Sequence, residues 1–349
     1  VHSPFDGKLL AEVPTSSAAH VDEALAAAYA LFRKRDDWLP IPERVAILDR
    51  LADLLTGQRE HLALLAASEG GKPLVDSEVE VTRAIDGVRL CIEELRSNRG
   101  RVIPVATTTA THGRTAYTQK EPAGVVVAVS AFNHPLNLIV HQVAPAVAAG
   151  CPVIVKPAAD TPLSCLNFVR LLYDAGLPPA WCQAIVTDSN ESAEKLVTDP
   201  RVAFFSFIGS AKVGWMLRSK LAPGTRCALE HGGVAPAVLL DDFDFDTTLE
   251  SITKGGFYHA GQVCVSVQRV YVPAALARIF ADALGQSADQ LRVGDPASAD
   301  TEVGPLIRSN EVERIDEWVQ EAIHAGGELI AGGRLIGSSC YAPTVILDP

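Results

Sequence analysis

A chain of 349 residues that is 48% hydrophobic and 21% charged is long enough for two domains with sizeable cores, which excludes a fibrous or disordered reading. A net charge of -12 at pH 7 lacks the concentrated Lys and Arg of a phosphate-binding face, so no nucleic-acid partner is expected. Seven cysteines, an odd number with no CxxC pair, argue against a disulfide framework or a zinc site and for a reducing, cytoplasmic compartment.

The opening Val1-His2-Ser3-Pro4-Phe5-Asp6-Gly7 reads as a strand and turn instead of a basic, apolar leader. Ser16 or Ser17 caps the helix that follows, and the chain stays mostly helical to Gly70-Gly71. Within that stretch Pro42 opens a segment whose Val45, Leu48, Leu51, Leu54 and Leu55 recur at helical spacing. A further helix over 78–98 carries Ala84, Val88, Cys91 and Leu95 on one face, and packing is the role expected of all these helices. Residues 102–120 turn β-branched and alternating, predicting a hairpin joined at His112-Gly113 whose exposed edge invites a second subunit.

After Pro122-Ala123-Gly124 strands are predicted at 125–129, 153–155, 183–186 and 202–207, alternating with helices at 136–149, 161–175 and 192–198. The apolar window 136–155 is broken by His141, Gln142, Pro145 and Pro152, so it reads as a buried helix and strand, not a membrane span. Strands apolar on both faces and alternating with helices make this an α/β fold with a doubly wound parallel sheet, whose ligands sit at the strands' carboxyl ends. Asn133, Lys156 and Gly209-Ser210 each follow such a strand and are expected to face one crevice. From Gly232 a second α/β unit is predicted, with a helix at 246–255, a strand at 270–272 and a long helix at 274–291. Asp295-Pro296, Gly304-Pro305 and Gly326-Gly327 punctuate the remainder.

Three short stretches concentrate the chemistry. Gly261-Gln262-Val263-Cys264 sets a thiol between a small-residue turn and a β-branched segment that reads as a strand. Ala228-Leu229-Glu230-His231-Gly232-Gly233 sets a carboxylate before a glycine pair, and Ala131-Phe132-Asn133-His134-Pro135-Leu136 sets an amide after the first sheet strand. Thiol, carboxylate and amide on element ends supply a nucleophile, a base and an oxyanion donor. Singly, each has a plainer reading: a cysteine among valines packs in a core, Asn133 closes a turn, and Lys156 is a solvated strand end. Glu230 is the sharper signal, because carboxylates seldom enter apolar runs without a partner or a task. Gly209-Ser210-Ala211-Lys212-Val213-Gly214 opens a helix whose amides would attract a phosphate. It is neither G-x-G-x-x-G nor a Walker A loop, since Trp215-Met216 stands where Lys-Ser/Thr would be, and a plain strand-to-helix turn remains the competing reading.

Taken together, Phe132-Asn133-x-Pro135, Lys156-Pro157, Phe207-x-Gly209-Ser210, Leu229-Glu230-x-Gly232-Gly233 and Gly261-Gln262-x-Cys264 resemble the aldehyde dehydrogenase superfamily in order and spacing. The resemblance runs from Pro4-Phe5-Asp6-Gly7 to Tyr341-x-Pro343-Thr344-Val345. It implies NAD(P)-dependent oxidation of a small aldehyde to its acid, without a metal. Cys264 would add to the carbonyl to give a thiohemiacetal, with the Asn133 amide and the Cys264 N–H holding the oxyanion. After hydride leaves, Glu230 would activate the water that hydrolyses the thioester. Lys156 would meet the adenosine ribose, Gly209 and Ser210 the pyrophosphate and Val213 the adenine, with Phe132, Ala159, Phe207, Gly214 and Gly232 completing the NAD or NADP surface. The same resemblance implies a cofactor domain over 1–101 and 121–230, an oligomerisation hairpin at 102–120, a catalytic domain over 231–349, and a homodimer or homotetramer.

The departures are informative. Ala159 stands where NAD-preferring relatives carry a glutamate on the ribose hydroxyls, which leaves the choice between NAD and NADP open. Phe132 replaces a common tryptophan, His231 a common leucine and Val234 a common lysine. The resemblance stops at Pro349, ahead of the family's Glu-x-Phe-Gly-Pro segment at the nicotinamide ribose and its last strand, so weakened cofactor binding is expected of a chain with this ending. Arg83 and the Asn133-His134 pair are similar to residues that hold the anionic tail in phosphonoacetaldehyde dehydrogenases, although Val263 stands where those enzymes have an arginine. An anionic small aldehyde is the substrate this suggests; a surface ion pair is the plainer role for Arg83. A CoA-acylating enzyme would use the same cysteine but generally lacks the glutamate, and a binding or scaffold protein on the same fold is the other alternative.

Overall fold

The computed structural model describes residues 1–97 and 100–348. Its first quarter is helical: α1 (Ala18–Arg33), α2 (Ile41–Gly57), α3 (Arg59–Gly70) and α4 (Leu74–Ser97). Ser17 precedes α1, and its amide donates to His20 Nδ1 at 3.2 Å, closing the first turn. Helix α3 stops where Gly71 turns left-handed at φ 73°; an added Cβ there would lie 2.8 Å from the Pro305 ring. The predicted helix end at Asn98 lies outside the described residues.

The hairpin is smaller than its composition suggested. β1 (Val102–Ile103) and β2 (Ala116–Tyr117) pair antiparallel over two residues each. His112-Gly113 lies within the loop between them, after a turn in which the Thr111 amide donates to the Thr108 carbonyl at 3.1 Å. Thr-rich, alternating sequence promotes strand only where a partner supplies the ladder.

The parallel sheet follows. In chain order come β3 (Val125–Val129), α5 (Asn137–Ala149), β4 (Val153–Lys156), α6 (Leu163–Asp174), β5 (Cys182–Ala184), α7 (Asn190–Thr198), β6 (Val202–Gly209), α8 (Ala211–Arg218) and β7 (Arg226–His231). The five strands lie in the order β5-β4-β3-β6-β7, all parallel, so the winding reverses at β3. Period-two alternation divides the sheet's side chains between two cores. Val126, Ala128, Val153 and Val155 join α2 to α6 on one face, while Val125, Val127, Ile154 and Phe205 join α1, α7 and α8 on the other. Each fully buried aromatic such as Phe168 or Phe205 contributes about 2–3 kcal/mol by leaving water.

β7 was not read as a strand in the sequence, because as the sheet's edge it alternates exposed Arg226, Ala228 and Glu230 with half-buried neighbours. Beyond it come β8 (Pro236–Val238), α9 (Phe245–Phe257), β9 (Arg269–Tyr271), α10 (Ala274–Gln290), α11 (Ser309–His324), β10 (Glu328–Ala331), β11 (Leu335–Ile336), β12 (Cys340–Tyr341) and β13 (Val345–Leu347). The β8-β9 pair is parallel and the β10-β13 pair antiparallel, with Phe280 and Leu284 of α10 in the core between them. The segment directly after Cys264, expected as a strand, is a turn. Ser266 Oγ donates to the Gly255 and Gly256 carbonyls (3.3 and 3.1 Å) and the Val267 amide to Gly255, so this stretch is fastened to the end of α9 and pairing starts only at Arg269. No described helix is long and apolar enough to cross a membrane.

Candidate active site

The turn that carries Cys264 is held from three sides. A 3-10 turn at Tyr258–Gly261 precedes it, in which His259 and Ala260 both take left-handed backbone angles (φ 48° and 54°). Such angles cost a non-glycine residue about 1 kcal/mol or more each and persist only where surrounding contacts impose them. Gln262 supplies those contacts: its side-chain amide donates to the Pro305 carbonyl at 3.2 Å and its Oε1 accepts from the Ile307 amide at 3.0 Å. The Cys264 side chain is left exposed at the turn.

Asn133 and Glu230 approach the same turn. Buried Asn133, four residues beyond β3, donates from Nδ2 to the Gln262 carbonyl at 2.9 Å, while its Oδ1 has no partner. Glu230 lies on β7 opposite Ile208, and the chain leaving it brings Gly233 so near that a Cβ there would sit 3.4 Å from the Cys264 carbonyl oxygen. The Glu230 carboxylate is exposed, and its charge reaches His141 on α5. The Asn133 amide and the chain that leaves Glu230 therefore both reach the turn that carries the thiol.

His231 has a structural account. Its ring packs edge-on to Phe207 (6.2 Å) and to Trp215 (5.3 Å). A Cβ on Gly214 would lie 2.2 Å from His231 Nε2, so glycine is what admits the ring beneath α8. Phe207 and Gly214, expected at the cofactor surface, are both buried in this packing and shape the turn from below. Nothing in the structure explains Val234 in place of lysine.

The remaining expected cofactor residues line the carboxyl ends of the strands. Lys156 ends β4 half-buried, its Nζ donating to the Pro157 carbonyl at 3.3 Å, and burial lowers its basicity. It has no carboxylate partner among the described residues. Ser210 caps α8, accepting from the Val213 amide at 3.4 Å, and Val213, Ser210 and Ala159 are exposed. Phe132 is half-buried, and Gly232 is exposed with open space where a Cβ would stand. An unpaired ammonium, a solvent-facing helix start and a small residue where a carboxylate would stand suit a dinucleotide carrying phosphate groups.

Sequence reasoning missed a buried charged group beneath Asn133. Lys72 is fully buried, paired with Glu80 and 2.9 Å from His134 Nδ1. Glu80 also accepts from the Leu136 and Asn137 amides at 2.9 and 2.8 Å, fixing the start of α5. Burial holds the Lys72 ammonium well below its usual range, against the opposing charge of Asp76. Losing either partner of such a pair costs about 3–5 kcal/mol. The signal was in the spacing: Asp76 and Glu80 extend the Ala84 and Val88 stripe at intervals of four, so both were due to be buried. Tyr258 stacks on His134 at 6.0 Å, while exposed Arg83 makes no hydrogen bond or ion pair among the described residues. The charge of Arg83 nonetheless acts on His134, His141 and Tyr258.

The family model described as the aldehyde dehydrogenase family matches residues 1–349. A 3-sulfolactaldehyde dehydrogenase from Priestia aryabhattai is 36% identical over 338 residues, covering 97% of this chain and 70% of the relative. A glyceraldehyde-3-phosphate dehydrogenase from Methanocaldococcus jannaschii, solved with NADP, superposes with a TM-score of 0.93 at 32% identity, covering 99% of this chain and 75% of that one. Aldehyde dehydrogenase 21 from Physcomitrella patens, solved with its product succinate, gives 0.94 at 34% identity, covering 99% and 72%. The chain belongs to the aldehyde dehydrogenase family, enzymes that oxidise aldehydes to acids with NAD or NADP.

Proposed function

We propose that this chain oxidises a small anionic aldehyde with Cys264 as nucleophile, Asn133 as oxyanion donor and Glu230 as the base for hydrolysis. The observation that carries the reading is the convergence on one turn: Asn133 donates to the carbonyl of Gln262, and the chain after Glu230 packs against the carbonyl of Cys264. The thiolate of Cys264 attacks the aldehyde carbon, and the second N–H of the Asn133 amide, together with the Cys264 amide, takes up the charge that develops on oxygen. When bound, NAD or NADP accepts the hydride. Glu230, reaching in from the sheet edge, removes a proton from the water that attacks the thioester, which releases the acid and the free thiol.

Lys156, Ser210 and Val213 hold the dinucleotide, and NADP is accepted because Ala159 sets no carboxylate against a 2′-phosphate. Arg83, exposed and unpaired among the described residues, and His134 bind the anionic end of the substrate. The names of the 3-sulfolactaldehyde and succinate-bound relatives agree with that class. The cofactor domain comprises 1–101 and 121–230 and the catalytic domain begins at 231. The hairpin at 102–120, with Val102 and Tyr117 exposed, joins subunits into a homodimer or homotetramer. Seven unpaired cysteines suit the reducing cytoplasm.

Replacing Asn133 with alanine is expected to lower kcat by about 10²–10³-fold, the usual cost of one oxyanion donor. It also releases the Gln262 carbonyl, so KM for the cofactor serves as the control for a displaced turn. Arg83→Ala is expected to raise KM for anionic aldehydes about tenfold and to leave neutral aldehydes unchanged, the effect of one charge-assisted hydrogen bond. Equal loss on both classes, followed by cofactor absorbance with NAD and NADP, would remove the anionic assignment.

A further inference from the structure

We propose that the buried Lys72–Glu80 pair is a positioning device that fixes His134 as the Nε2–H tautomer, so that the ring offers a neutral donor beside Arg83 to the substrate's anionic end. This rests on the anionic-aldehyde reading above. Its ion pair with the buried Glu80 carboxylate keeps Lys72 an ammonium in spite of burial, and an ammonium has donors only, so Nζ, 2.9 Å from His134 Nδ1, makes that nitrogen the acceptor and leaves the ring proton on Nε2. Glu80 holds the arrangement from below. It pairs with Lys72 and accepts the Leu136 and Asn137 amides, two and three residues past the histidine, so loop and ammonium are tied to one carboxylate. Tyr258 fixes the plane of the ring, stacking at 6.0 Å and 26°. Among the described residues Nε2 has no hydrogen-bond partner, and the side chain keeps 12% of its surface open.

The charge of the imidazole decides what kind of donor it is. Lys72 just before α4, Glu80 and Arg83 on α4, His141 on α5, and Tyr258 and His259 on the 3-10 turn surround or act on it, while Lys254 of α9 pairs with Asp76 at 2.7 Å. Burial foremost, then the cationic Lys72 and Arg83, push His134 down to about 3. The ring therefore stays neutral near pH 7, and a neutral ring left free divides between two tautomers. In the Nδ1–H form Nε2 would turn a lone pair toward the anion. Lys72 removes that state without touching the substrate.

The test is the ¹⁵N spectrum of the full chain labelled at histidine, with His134→Gln to assign the signal. A protonated Nε2 and a bare Nδ1, unchanged between about pH 6 and 8, are expected. The double variant Lys72→Met, Glu80→Gln avoids leaving a buried carboxylate unpaired. It is expected to show mixed tautomers and a KM for succinic semialdehyde raised about tenfold, with the KM for butanal unchanged. A wild-type ring protonated on Nδ1, or a variant with an unaltered tautomer and KM ratio, overturns the proposal; should the variant fail to fold, the wild-type spectrum decides the tautomer. If His134→Gln and Arg83→Ala leave the KM ratio untouched while the tautomer still follows Lys72, it is the anionic-substrate reading that has failed, and the donor role fails with it.

Discussion

Cys264→Ala is expected to abolish aldehyde-dependent reduction of NAD(P), lowering kcat/KM by about 10⁴-fold or more, because no thiohemiacetal forms without the thiol. The loss is chemical and not structural. Cys264 is exposed on a turn whose shape is set by the side-chain hydrogen bonds of Gln262 and by the anchoring of Ser266 to the end of α9. Substitutions at exposed positions typically change stability by about 0.5 kcal/mol or less, so the variant keeps its fold. It also keeps its cofactor affinity, since Lys156, Ser210 and Val213 lie on other elements. Calorimetric titration with NADP beside the absorbance assay separates the two effects. Turnover within tenfold of wild type in Cys264→Ala would move the nucleophile elsewhere.

The second large effect is expected of Glu230→Gln, and it is a change of kinetic shape as well as of rate. Acylation does not need the base that hydrolysis needs, so the variant is expected to release one equivalent of reduced cofactor per site in a burst. Steady turnover then falls by about 10²–10⁴-fold, the usual contribution of a general base. The position of Glu230 supports this division: it stands on the exposed edge strand β7, open to water, while the Asn133 amide reaches the cysteine turn from the buried side. Stopped-flow absorbance reads the burst amplitude. Slow turnover with no burst would place Glu230 before hydride transfer. A rate restored by CoA would identify acyl transfer in place of hydrolysis.

Much of this arrangement was legible in the sequence, for physical reasons that also mark where legibility ended. Val125–Val129 declares a parallel central strand because burial on both faces selects an unbroken β-branched run. The placing of Asn133, Lys156 and Ser210 at carboxyl ends followed from that: Lys156 is the last residue of β4, and the other two lie just beyond β3 and β6. β7 escaped notice because an edge strand needs only one apolar face, and Arg226, Ala228 and Glu230 occupy the other. Val265 and Val267 misled in the opposite sense. Their branching suits a ladder, but the Ser266 amide bonds Val263 within the turn and the Val267 amide bonds Gly255, neither of them in a strand. Helix α11, with Val312, Ile315, Val319 and Ile323 at helical spacing, received no assignment in a stretch marked only by its Gly and Pro breaks. The burial of Lys72, Glu80 and Asp76 was written in the period of α4; their pairing was not, because partners such as Lys254 and His134 come from distant elements.

The most direct measurement is the mass of the enzyme after Glu230→Gln has been mixed with NADP and succinic semialdehyde and quenched within the burst. A single acyl increment is expected, mapping by peptide digestion to Cys264. It should disappear when Cys264 is also replaced by alanine. An unchanged mass, or an increment on Cys227 or another of the seven cysteines, would contradict covalent catalysis at the turn where Asn133 and the chain after Glu230 meet.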